Sequence, residues 1–167
     1  MEDQILTEIK EGRYIITPQP MDITSAIGAV PKPSNGIRVI HDASRPAGGS
    51  LNSYVEEKMS VKFKTVKDAT SMLNPGGYQC KIDLQTAYRS VGLHPSQYRY
   101  TGLKWLFAGD TEPTYMYDAR LPFGAKLSVG IFHRLSQAVC RMASRRNIKC
   151  IGYLDDFWIT EIGRAHV

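Results

Sequence analysis

Three carboxylates carry the chemistry open to this sequence. Asp155 and Asp156 stand side by side in IGYLDDFWIT, residues 151–160, inside a run that otherwise reads as buried strand. Burial of unpaired charge is costly, so something must offset the pair. A tight two-residue turn is one answer, because Asp tolerates left-handed geometry and such turns join apolar runs. A divalent cation at a hairpin tip is the other, and it needs a third carboxylate. Asp83 lies 72 residues before Asp155, after Cys80, Lys81 and Ile82. Alone, it fits a strand-end acid or the N-cap of LQTAY as well as a metal ligand. If the two strands are neighbours in one sheet, the carboxylates can share two ions about 3.5–4 Å apart, the arrangement that serves in-line phosphoryl displacement. Oxygen ligands favour Mg²⁺, with Mn²⁺ as the substitute.

These residues need strands to present them, and the rest of the chain supplies candidates. GYQCKIDL reads as a central strand carrying Asp83, and residues 151–159 as a hairpin around the Asp pair. Ile5, Leu6 and Ile9 fall at helical spacing, and the pattern ends near Gly12. Runs 26–30 and 37–41, joined by Pro, Ser, Asn and Gly, predict a basic hairpin separate from the main domain. Residues 65–74 predict a short helix, and YRYTGLKWLF and TYMYDARL two further strands. From Leu127, Ile131, Leu135, Ala138, Val139 and Met142 recur at steps of three and four, which predicts an amphipathic helix to about Arg145. With no internal repeat, the layout is one α+β domain.

Composition narrows the function classes. The 167 residues suit one domain with its own core. Twenty-one Lys and Arg against sixteen Asp and Glu, a net +5, suit a polyanionic partner without identifying it. Three cysteines, Cys80, Cys140 and Cys150, form no C-x-x-C pair, so they read as reduced core thiols rather than a disulfide framework or zinc cluster. No stretch approaches the roughly 18 apolar residues of a membrane span, and the acidic start MEDQILTEIK lacks the order of a secretory signal. The expectation is an intracellular protein, in cytoplasm or nucleus, with no membrane partner. The last seven residues, EIGRAHV, can be encoded by a stretch nearly all of which is common sequencing-adapter sequence, so residues 161–167 are expected to be an artefact and native coding to stop near Thr160.

The ordered stretches KIDLQTAYRSVGLHP, LPFGAKLSVGIFHRL and YLDDF resemble the palm motifs of reverse transcriptases. EIKEGRY, IGAVPKPSNGIRVIHDASRPAGGSLN and YTGLKW look like retrotransposon polymerases, closest in appearance to DIRS-type and LTR-like elements. The resemblance implies a right-hand polymerase fragment with an antiparallel sheet and packed helices. Fingers would span about 1–76 and an incomplete palm about 77–160, with thumb and RNase H absent. It implies RNA-directed DNA polymerase activity: addition of deoxynucleotides to a primer 3′ end on an RNA or DNA template, with two Mg²⁺ or Mn²⁺ ions.

By the same resemblance, Asp83 and Asp155 are the main metal ligands, Asp156 supports them, and the backbone carbonyl of Leu84 completes a site. Adjacent side chains on an extended strand face opposite ways, so a turn must re-aim the Asp pair if both are to help. Lys32 and Arg38, flanking PSNG, resemble residues that grip the triphosphate. A guanidinium can take phosphate oxygens bidentately, whereas Lys32 reads equally as a solvated hairpin charge. Tyr88 stands where the family puts an aromatic beneath the nucleotide sugar, although composition alone makes it a core tyrosine. Leu121, Pro122, Phe123 and Gly124 match the loop beside nucleotide and template. Ser128-Val129 departs from the family, which often has proline second. Arg141, Arg145, Arg146 and Lys149 read as a solvated helix end. Two rival readings remain at this level: a co-opted nucleic-acid-binding remnant without catalysis, and a viral RNA-dependent RNA polymerase palm, against which Tyr88 speaks.

Overall fold

A computed structural model of the chain describes residues 1–31, 36–56 and 59–160. In chain order the elements are α1 (Glu2–Lys10), β1 (Tyr14–Thr17), β2 (Thr24–Pro31), β3 (Ile37–Asp42), α2 (Val66–Thr70), β4 (Gln79–Asp83), β5 (Gly102–Trp105), β6 (Thr114–Asp118), α3 (Ser128–Ser144), β7 (Lys149–Tyr153) and β8 (Asp156–Thr160). Short 3₁₀ turns cover Leu51–Tyr54, Ala87–Ser90 and Pro95–Tyr100. The fold is mixed α+β, as the sequence predicts. Two compact units interleave along it: Met1–Lys58 with Tyr88–Ser128, and Met59–Ala87 with Val129–Val167. These boundaries cut the chain three times, whereas the fingers–palm division expected from sequence cuts it once.

The first unit is built on a five-stranded sheet in the order β1-β6-β5-β2-β3. Its pairings are antiparallel except β2 with β5, which run parallel through Thr24–Gly102 and Ser25–Leu103. The basic hairpin β2–β3 is therefore an extension of this sheet and not a separate element. Ile5 of α1, Tyr14, Leu103 and Met116 form the core, with Ile27, Val39 and Trp105 packed against them. The same helix covers the edge at β3: Gln4 donates through Nε2 to Ile37 O and accepts from Val39 N–H. Beneath lies a buried ionic network. Arg89 reaches Glu8 Oε2 at 2.7 Å and Asp118 Oδ2 at 2.6 Å, and Asp118 is fully buried. Burial, with the Asp118 charge adding, pushes the Tyr14 hydroxyl well above its ordinary range.

The second unit holds a three-stranded antiparallel sheet, β4-β8-β7. The sequence reading makes the strand of Asp83 central; β4 is instead an edge strand, exposed along its whole length. Alternating apolar residues cannot tell an edge from a centre, because that depends on non-local pairing. Cys80 follows this correction: it lies exposed on β4, while Cys140 and Cys150 are half-buried free thiols 3.7 Å apart. Thr65 and Asp68 cap α2 reciprocally, each side chain taking the other's backbone N–H.

Helix α3 forms where its periodicity predicts, but not with the face that its apolar stripe suggests. Ile131, Leu135, Val139 and Met142 are exposed, while Ser128, Phe132 and Ser136 are buried. Gly152 explains the close approach of α3 to the sheet: a Cβ there would meet Cys140 Sγ at 3.1 Å and the Phe157 ring at 3.2 Å. No described helix is long and apolar enough to cross a membrane.

Candidate active site

The carboxylates belong to the second unit. Antiparallel register aligns β4 with β8 from Gln79–Thr160 to Asp83–Asp156, and β7 with β8 up to Tyr153–Asp156. Asp83, Asp156 and Tyr153 therefore form one row across the sheet, with their side chains on one face. Asp155 stands one residue earlier, in the two-residue connection between β7 and β8. Leu154, the first residue of that connection, has φ +53°, a value an L residue adopts under strain. A turn thus separates Asp155 from the row that Asp156 joins. Leu84, following β4, donates its N–H to Asp155 O at 3.1 Å and so ties the end of β4 to the turn.

Like charges directly opposite one another on neighbouring strands repel. Here Lys81, two residues before Asp83 and so on the same face, places Nζ 2.9 Å from Asp156 Oδ1. The contact is a charge-assisted pairing of ammonium and carboxylate. Pairing with Asp156, with Asp83 and Asp155 adding, raises the Lys81 amine above its ordinary range. Among the described residues, no three His, Cys, Asp or Glu side chains stand close enough together to hold a metal ion. The three-carboxylate convergence expected from sequence is thus not formed. The donor set still suits a hard cation: two opposed carboxylates on one face and a third in the adjoining turn.

The first unit gathers a different set. Arg38 on β3 pairs with Val30 on β2 and lays its guanidinium over Phe123, 5.4 Å from the ring centroid. Phe123 meets the buried Tyr88 edge-on, with centroids 5.1 Å apart at 68°. Three residues expected from sequence to handle the nucleotide thus form one continuous stack, Arg38–Phe123–Tyr88. Lys32 lies outside the described residues, as do residues 161–167.

The loop before α3 owes its shape to Gly124 and Ser128, which the sequence reading named, and to Asn52, which it missed. Gly124 has φ +126°, and a Cβ there would run into His41 O, so only glycine fits. Asn52, buried within the quoted GGSLN, satisfies this loop almost alone. Its Nδ2 donates to Gly124 O at 3.0 Å and to Ser44 Oγ at 2.9 Å, and its Oδ1 accepts Lys126 N–H at 2.8 Å. Ser128 Oγ donates to Pro122 O at 2.7 Å, so α3 starts without the proline that the family often places at 129. Asn52 stood inside a recognised motif and could have been singled out. Arg89, next to Tyr88, likewise stood inside a quoted motif, KIDLQTAYRSVGLHP.

A family model described as reverse transcriptase (RNA-dependent DNA polymerase) matches residues 30–165. No curated protein matches the sequence. Among solved structures, a foamy viral protease–reverse transcriptase in complex with double-stranded DNA matches at TM-score 0.69 and 19% identity, over 91% of this chain. The chain spans 24% of that protein's length.

Proposed function

This chain belongs to the reverse transcriptase (RNA-dependent DNA polymerase) family, and we propose that it supplies the metal-binding and nucleotide-binding residues of a polymerase that adds deoxynucleotides to a primer 3′ end. The observation that supports this most is the β4–β8 register, which sets Asp83 across from Asp156 with Asp155 in the adjoining turn. Asp83 and Asp155 are the principal ligands in this reading, Asp156 the supporting one, and the Leu84 carbonyl a further oxygen. Two Mg²⁺ ions, with Mn²⁺ as substitute, would lower the charge barrier to attack by the primer hydroxyl and steady the leaving pyrophosphate.

The remaining roles fall to this chain's own side chains. Arg38 presents a guanidinium whose paired N–H donors match phosphate oxygens, with Phe123 beneath it to keep the planar group in place. Lys32 adds a second cation to the same task. Tyr88, braced against Phe123, excludes a 2′-hydroxyl by bulk. Gly124 lets backbone approach the nucleotide where a side chain would intrude. The partners in this reading are a primer on an RNA or DNA template and deoxynucleoside triphosphates. The stretches EIKEGRY and IGAVPKPSNGIRVIHDASRPAGGSLN support a DIRS-type retrotransposon as source.

The test is substitution of the ligands. In a longer polymerase polypeptide carrying this chain, Asp83→Asn and Asp155→Asn should each abolish primer extension while circular dichroism stays as wild type. An amide keeps the shape of the carboxylate and loses its charge. Near-normal extension by either variant removes the two-metal reading.

A further inference from the structure

We propose that Ser136 is a positioning residue for Asp155, its buried hydroxyl on α3 holding the Leu154 carbonyl and so the strained turn that carries the carboxylate. The inference rests on the reading of Asp155 as a metal ligand.

The β7–β8 connection has two central residues, Leu154 and Asp155, and of these only Leu154 has a positive φ. That is the position a II′ hairpin turn ordinarily gives to glycine. A leucine there is strained and persists only where the surroundings over-determine it. Those surroundings can be named. Ser136 Oγ contacts Leu154 O, and Leu84 N–H donates to Asp155 O at 3.1 Å from the other side. Both carbonyls of the turn are thereby held from outside the hairpin, one by α3 and one by the residue following Asp83. The peptides on either side of Asp155, Leu154–Asp155 and Asp155–Asp156, are therefore each held through their carbonyl.

A mid-helix serine ordinarily bonds its own i−4 carbonyl or faces water. Ser136 Oγ does lie 3.1 Å from Phe132 O, but the contact with Leu154 O is shorter, and a hydroxyl has one proton to give. That proton goes to the turn. The helix face supports the same conclusion. Ser136 is 2% exposed while Leu135 and Val139 beside it are 44% and 47% exposed. A helix that needed only apolar packing here would turn its leucine and valine inward. It buries a hydroxyl against a carbonyl of the turn instead.

Loss of the hydroxyl should let the Leu154–Asp155 peptide rotate and weaken metal binding with no ligand removed. The experiment uses the full chain under reductant and Mn²⁺ alone as the probe, with free Mn²⁺ read by electron paramagnetic resonance. Hydrogen exchange at the Leu84 amide, whose acceptor is Asp155 O, is followed in parallel. Ser136→Ala should weaken Mn²⁺ binding about tenfold, the scale of losing a group that orients a ligand, and should speed exchange at Leu84. Ser136→Thr, which keeps the hydroxyl, should restore both. Where Ser136→Ala does not fold, Ser136→Cys, similar in size but a weak donor, is read the same way. Unchanged affinity and exchange in the Ala or Cys variant, with Asp155→Asn still weakening Mn²⁺, overturns the role of Ser136 and leaves the metal reading standing. Unchanged Mn²⁺ affinity in Asp155→Asn overturns the metal reading, and the positioning role with it.

Discussion

Asp83→Asn separates stability from function, because the same register that suits a cation sets two like charges face to face. Opposed residues on antiparallel strands have Cβ atoms about 4.5–5.5 Å apart. Two unit charges about 5 Å apart in water repel by about 0.8 kcal/mol before screening. Asp83 is exposed, the Asp156 side chain is 43% exposed, and Lys81 already pairs with Asp156. Salt and that pairing reduce the figure to roughly 0.2–0.8 kcal/mol. At roughly 2–4 °C per kcal/mol for a chain of this size, Asp83→Asn in EDTA should raise Tm by roughly 0.5–3 °C. With Mg²⁺ the sign reverses. A ligand at ten times its Kd stabilises the folded state by about 1.4 kcal/mol, so wild type should gain roughly 3–6 °C and the variant much less. The assay is thermal unfolding followed by circular dichroism, in EDTA and over a Mg²⁺ series. A variant that melts lower in EDTA yet keeps the full Mg²⁺ gain would refute both the charge argument and the ligand role.

Further outcomes follow from the first unit and the thiols. Arg89→Met strands the fully buried Asp118 without its partner and should cost about 3–5 kcal/mol, read from the urea midpoint, with Asp118→Asn added to it recovering much of the loss. Gly124→Ala combines a backbone region closed to L residues with overlap at His41 O, and should destabilise by about 1–3 kcal/mol in the same assay. Tyr88→Val should lower deoxy-over-ribonucleotide selectivity by roughly 5- to 150-fold in kcat/KM for matched substrates. An unchanged ratio would return Tyr88 to a packing role. Burial, with Cys140 adding, pushes the Cys150 thiol up to about 12, so at pH 8 iodoacetamide should label the exposed Cys80 well before Cys150, as read by peptide mass.

Local order was legible in the residues alone. Apolar spacing located α1 and α3, turn chemistry located the β2–β3 and β7–β8 hairpins, and the carboxylates at 83, 155 and 156 stood out because like charges inside apolar strands need a reason. What depends on partners distant in sequence was not legible. Periodicity does not say that β4 is an edge strand, that β2 runs parallel to β5, or that α3 buries Ser136 and exposes Leu135. Each of these is decided by which surfaces meet, and the chain reads the same whichever way they do. The site divides along the same line. Residue types picked out the carboxylates, whereas the register of Asp83 with Asp156, the ammonium of Lys81 on Asp156 and the hydroxyl of Ser136 on the turn come only from tertiary pairing. A side chain's partners are set by the strands and helices brought beside it, and those can lie far away in sequence, as Lys81 and Asp156 do.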